Sequence, residues 1–94
     1  MRVNETRIRQ NQFLFREVNQ RIAEITRGQG EQASEFICEC GEAGCTSVMD
    51  LPLADYEAVR GEREDLFIAA EGHCVEGVDR LVETRAGYDV VTQM

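Results

Sequence analysis

The chain has no lysine and no tryptophan, one histidine, one proline, and only six aromatic residues among its 94. Each shortage excludes something. Phe13, Phe15, Phe36, Phe67, Tyr56 and Tyr88 supply all the aromatic bulk, which is thin for a core near the lower size limit of unaided folding. A chain of this size commonly needs a staple, either a disulfide or a metal. Basic charge is also scarce. Residues 1–29 hold six Arg against three Glu, a balance of +3, whereas residues 30–94 hold four Arg against fifteen acids, −11, giving −8 in all. An acidic body repels phosphate backbones, so nucleic acid is not the expected partner. There is no long apolar run either. The opening Met1-Arg2-Val3-Asn4-Glu5-Thr6-Arg7 predicts neither a signal peptide nor a membrane span, and hence a cytoplasmic protein with reduced thiols.

Catalytic signatures are missing too. The chain contains no G-x-S-x-G, P-loop, G-x-G-x-x-G or H-E-x-x-H, and no H-x-E…P-C-x-x-C of the zinc deaminases. Glu39, Glu42 and Glu71 lie near the cysteines in sequence, but they read as acids that solvate a loop. The expectation is a protein that is not an enzyme and takes no small-molecule substrate.

What is present begins with a periodic first segment. Ile8, Phe15 and Ile22 recur every seven residues, as do Asn11, Val18 and Ile25, offset by three. This a/d spacing predicts an amphipathic helix within residues 1–29, with Asn4 as N-cap and Gly28 and Gly30 as the stop. A helix over residues 5–27 would be about 35 Å long. A compact body built from the remainder would be about 28 Å across, so the helix is expected to overhang it. The seam of Ile8, Asn11, Phe15, Val18, Ile22 and Ile25 then has two readings. It packs on the chain's own sheet, or it pairs with another protein or a second copy, Asn11 fixing the register.

After a polar linker the pattern turns strand-like. Residues 35–38 and 46–51 read as a hairpin closed by Pro52, 53–60 as a two-turn helix stopped by Gly61, and 66–70 as a buried strand. Residues 78–84 and 88–92 read as a last hairpin around Ala86-Gly87, although 78–82 would also suit a helix. The predicted class is α+β: a long N-terminal helix, then a domain over residues 34–94 of short antiparallel strands and one short helix.

The chemistry is concentrated in Cys38-Glu39-Cys40-Gly41-Glu42-Ala43-Gly44-Cys45 and in His73-Cys74, 28 positions after Cys45. Zinc takes four tetrahedral ligands, and thiolate with imidazole is its usual structural set. Two cysteines one residue apart can face one ion if the backbone turns sharply, which Gly41 and Gly44 permit. Amide N–H groups in such a turn can also point at the sulfurs. The competing reading is disulfides or buried thiols, but a Cys38–Cys40 bond would be strained. Cys38, Cys40 and Cys45 therefore predict a single structural Zn2+. The fourth ligand is His73 or, alternatively, Cys74; Cys3His leaves a site charge of −1 against −2 for four thiolates in an already acidic body.

These residues carry a resemblance. Phe15-Arg16-Glu17-Val18-Asn19-Gln20-Arg21-Ile22, Phe36-Ile37-Cys38-Glu39-Cys40, Cys45, Asp55-Tyr56-Glu57-Ala58-Val59-Arg60, Gly72-His73 and Tyr88-Asp89-Val90-Val91 resemble a group of short actinobacterial proteins. That group shares a C-x-C-x4-C loop, an EY-x-x-VR helix and a GH turn, and the likeness spans nearly the whole chain. Its members usually carry an acid where this chain has Cys74, which implies His73 as the ligand. The resemblance implies a zinc site and no activity. The reading is a non-catalytic zinc protein serving as a protein–protein interaction or regulatory module. The alternative is a zinc-thiolate redox sensor with Cys74 as resolving thiol, and third is nucleic-acid contact through the Arg-rich helix.

Overall fold

A computed structural model describes residues 2–94, with side chains described from residue 5 onward. Helix α1 (Arg2–Gly28) places Glu5 in its first turn and Arg27 in its last, each complementing the helix dipole. It opens at Arg2, so Asn4 falls within it instead of capping it, and the Asn4 side chain lies outside the described residues. The far end closes in a Schellman motif: Glu31 N–H donates to Thr26 O (3.1 Å) and Gly30 N–H to Arg27 O (3.1 Å). That motif needs a left-handed residue, and Gly30 supplies φ 75°.

Strands β1 (Ala33–Ile37) and β2 (Val48–Pro52) pair antiparallel, from Ala33 opposite Pro52 to Ile37 opposite Val48, and the cysteine loop joins them. Pro52 leads directly into α2 (Leu53–Glu62), which buries Leu53, Tyr56 and Val59 at helical spacing. The expected stop at Gly61 is passed by one residue, because the chain leaves through an extended Arg63 that needs no left-handed cap. Strands β3 (Leu66–Ala69), β4 (Asp79–Arg85) and β5 (Tyr88–Gln93) form a second antiparallel sheet in the order β3-β5-β4. Residues 79–82 are strand and not helix, since they pair with β5; the register slips between Leu81 and Glu83 in a bulge at Val82.

The fold class is the expected one. A single apolar core joins both sheets and α2: Phe36, Met49, Leu51, Leu53, Tyr56, Val59, Leu66, Ile68, Ala69, Tyr88 and Val90, with Cys38 and Cys40 at its edge. Phe36 and Tyr56 stack at 4.6 Å between centroids. On the other side of the second sheet, Phe67 meets Phe13 of α1 edge-on at 5.3 Å, and the Arg16 guanidinium lies over both rings.

The overhang does not occur. The molecule measures 43 × 21 × 21 Å, and a 27-residue helix is about 40 Å long, so α1 runs the length of the long axis. Near one end Arg9 Nη1 donates to Met94 O (2.9 Å), and near the other Arg27 pairs with Glu57. The compact-sphere scaling fails because the two sheets lie one after the other along the helix.

Candidate metal centre

Cys38 follows β1 directly, and its N–H continues the hairpin ladder by donating to Ser47 O (3.0 Å). One residue later the chain crosses to the other sheet, where Glu39 N–H donates to Ile68 O (2.8 Å). Cys40 then enters a turn in which Gly41 and Gly44 have φ of 82° and 85°, and the turn brings Cys45 back toward Cys38. His73 arrives from the turn after β3, where its N–H donates to Ala70 O (3.0 Å) and Gly72 N–H donates to Asp89 Oδ2 (3.0 Å).

The result is a compact cluster. One ligand atom each from Cys38, Cys40, Cys45 and His73 can be chosen so that all lie within 4.8 Å of one another. His73 Nδ1 stands 3.6 Å from Cys38 Sγ and 3.6 Å from Cys45 Sγ. A zinc tetrahedron with Zn–S near 2.3 Å and Zn–N near 2.0–2.1 Å has S···N edges of about 3.6 Å. The donor set and its spacing therefore fit a metal ion. Cys74, half-buried beside His73, lies outside this cluster, and none of the four cysteines forms a disulfide.

The Cys38 sulfur is the one prepared for negative charge. A hydrogen bond from the Cys40 thiol holds Cys38 below its ordinary value against the opposing effect of burial, and Ala70 N–H adds a second donor at 3.2 Å. Cys40 is pushed up because it gives its proton to Cys38 and is itself buried. A cation bound among these sulfurs would replace that shared proton.

Helix α1 supplies the surrounding polar shell, and the sequence reading missed it. Asn11 Nδ2 donates to Gly41 O (3.0 Å) and Gln12 Nε2 to Cys40 O (3.3 Å). Asn19 acts as an extra strand partner: its Nδ2 donates to Ile37 O (2.9 Å) while its Oδ1 accepts from Ile37 N–H (2.9 Å). The same Nδ2 donates to Glu39 Oε2 (2.7 Å), and Ile68 N–H donates to Glu39 Oε1 (2.9 Å). Glu39 is fully enclosed, and burial pushes its carboxyl up to about 7. Its carboxylate therefore addresses α1 and β3. Gln12 also donates to both Asp79 oxygens (2.9 and 3.0 Å) and accepts from Gln93 Nε2 (2.6 Å). Helix and loop touch closely at Gly41, where a Cβ would strike Ile8 O and come within 2.8 Å of Gln12 Cγ.

The apolar seam is divided by this docking. Ile8, Asn11, Phe15 and Ile22 are half-buried, while Val18 and Ile25 are exposed, along with Leu14. The buried heptad line on α1 is Gln12, Asn19 and Thr26. That line was visible as polar residues seven apart, four positions after Ile8, Phe15 and Ile22. Between α1 and α2 runs a groove of about 420 Å³ lined by Ala23, Arg27, Tyr56, Glu57 and Arg60, among others. Its charges are used within the chain: Arg27 pairs with Glu57, and Arg60 Nη2 donates to Leu66 O.

No helix among the described residues is long and apolar enough to cross a membrane. Comparison with known protein families, curated proteins and solved structures finds nothing that matches this chain.

Proposed function

We propose that this chain is a small non-catalytic zinc protein of the cytoplasm, in which one structural Zn2+ is held by Cys38, Cys40, Cys45 and His73. The observation that carries this reading is the 3.6 Å spacing of His73 Nδ1 from two cysteine sulfurs within a four-residue cluster. Four ligands close a tetrahedron and leave no position for a reacting water. The acid nearest in sequence, Glu39, has its carboxylate engaged by Asn19 and Ile68. Both features favour a structural ion over a hydrolytic one.

The zinc-stapled body then serves as a protein–protein interaction or regulatory module. Leu14, Val18 and Ile25 support this, as large apolar side chains left exposed on the outer side of α1. Another protein or a second copy would cover them. Nucleic-acid contact is less favoured, because arginines of α1 are engaged at home: Arg9 with Met94 O, Arg16 with Glu64 O and two rings, Arg27 with Glu57.

Native mass spectrometry tests the metal. The expected result is one zinc per chain, lost on chelation and in Cys45→Ser, with Cys74→Ser unchanged. Full zinc retention in His73→Ala combined with loss in Cys74→Ser would replace the fourth ligand. Absence of zinc from the native protein would remove the reading.

A further inference from the structure

Helix α1 meets the core cluster at few points and is held mainly by polar ties, densest at residues 37–41; the others are Gln12 with Asp79 and Gln93, Arg9 with Met94 O and Arg27 with Glu57, beside Phe13 on Phe67. Of its residues only Ala23 belongs to the core cluster, with Ile22 packed against it. The core residues of the two sheets and α2 meet one another without the helix. By contrast, Asn11, Gln12 and Asn19 bond to Gly41 O, Cys40 O, both backbone groups of Ile37 and the Glu39 carboxylate. These partner groups fall in five consecutive residues, 37–41, which contain two of the proposed metal ligands. The direction of the Cys40 carbonyl follows from where the Cys40 sulfur is held. The turn after it contains two glycines at positive φ, a backbone with many alternatives once no ion holds it.

We propose that metal occupancy is the latch of helix α1. With zinc bound, residues 37–41 present the one arrangement of carbonyls that Asn11, Gln12 and Asn19 can satisfy, and the helix stays down. Without it those bonds lose their fixed partners, the ties of Gln12 to Asp79 and Gln93, of Arg9 to Met94 O, of Arg27 to Glu57 and of Phe13 to Phe67 no longer suffice, and α1 lifts from a body that keeps its own apolar core. Lifting bares Ile8, Phe15 and Ile22 beside the already exposed Val18 and Ile25, completing an apolar face that the docked helix shows only in part. This inference rests on the Cys3His site proposed above. Coupling of this kind is reciprocal: what loosens the helix must weaken the metal by the same factor.

Two measurements on the full chain test it. Amide hydrogen exchange is followed with zinc bound and after chelation. The expected result is loss of protection over residues 8–26 while amides of β3 and β5 remain protected. Simultaneous loss throughout the chain, or unchanged protection of α1, overturns the latch. Zinc affinity is then measured by competition with a chromophoric chelator. Asn19→Ala, which touches no ligand side chain, is expected to weaken zinc about tenfold, within the usual range of coupling between sites. Asn11→Ala is the milder variant should Asn19→Ala not fold, expected to weaken zinc about threefold, as for one hydrogen bond. The exposed Arg21→Ala serves as control and should bind zinc as the native chain does. Native affinity in the Asn variants overturns the coupling. The Co2+-substituted spectrum separates the two claims: thiolate charge-transfer bands retained in the variants keep the ligand set and isolate the latch, whereas no such bands in the native chain overturns the site, and the latch with it.

Discussion

The two halves of the interior are held by different means. Between β1, β2, α2 and β3 the contacts are apolar, centred on the Phe36–Tyr56 stack, with side chains such as Phe36, Val59 and Ile68 wholly enclosed. Between α1 and the cysteine loop the enclosed side chains are Gln12, Asn19 and Glu39. The difference follows from backbone geometry. Strands and α2 satisfy their own peptide groups, so their neighbours need only fill space. Beyond Cys38 the cysteine loop leaves the hairpin ladder, and each enclosed carbonyl left without a donor would cost about 1–3 kcal/mol. Side-chain amides on α1 provide those donors. Long-range order in this small chain thus comes from packing on one side and from directed hydrogen bonds on the other.

The comparison is broken most strongly on the apolar side. Phe36→Ala removes half of the aromatic stack from a site with no exposure, and large-to-small changes of this kind cost about 3–5 kcal/mol. The thermal unfolding midpoint of the variant should fall by roughly 12–40 °C, using about 4–8 °C per kcal/mol for a domain of this size. A shift of only a few degrees would mean that the apolar core does not dominate stability.

The polar side is probed by two glycines that share a conformation and differ in surroundings. Gly41 and Gly44 both have positive φ, but a Cβ at Gly44 would meet nothing within 4 Å, whereas one at Gly41 would strike α1. Gly44→Ala should cost about 1–2 kcal/mol, the usual left-handed penalty for an L side chain. Gly41→Ala carries that penalty and must also displace Ile8 and Gln12, for a total of about 3 kcal/mol or more. Chemical denaturation monitored by circular dichroism measures both. Equal losses would show that the helix does not press on the loop.

These sites also show how much was legible beforehand. Strand and helix order could be read because apolar periods switch cleanly at residues 28–34 and Pro52 punctuates the hairpin. The ligand cluster was legible because cysteine and histidine are few and tightly spaced. The orientation of α1 was not. An a/d seam through Val18 and Ile25 is what hydrophobic spacing alone predicts, yet the structure turns Gln12, Asn19 and Thr26 inward and leaves those two exposed. Periodicity weighs apolar area and is blind to the unpaired carbonyls of a distant loop. The same blindness concealed Glu39, an enclosed carboxylate between two cysteines that its neighbours' identities mark as solvated.

The smallest expected effect compares two aspartates on opposite sides of this division. Asp65 is exposed, and its contacts with Arg63 (2.7 Å) and Thr92 Oγ1 (3.0 Å) hold its carboxyl down to about 2. Asp79 is enclosed at the inner end of the polar shell, and burial pushes its carboxyl up despite Gln12 Nε2 and Val75 N–H, which both donate to it. The consequence for stability has a definite sign. Because the folded form holds its proton more tightly than the unfolded chain does, Asp79 contributes stability below pH 3.8 that is lost as pH rises through its folded value. Carboxyl carbon shifts followed by NMR from pH 7 down to pH 4 should therefore move at Asp79 and stay flat at Asp65. In Gln12→Ala the Asp79 carboxylate loses a donor to its charged form, so its titration should move further up while Asp65 stays where it was. An Asp79 curve that ignores Gln12→Ala would mean that the amide and the carboxylate do not hold one another, and the polar shell would lose its innermost member.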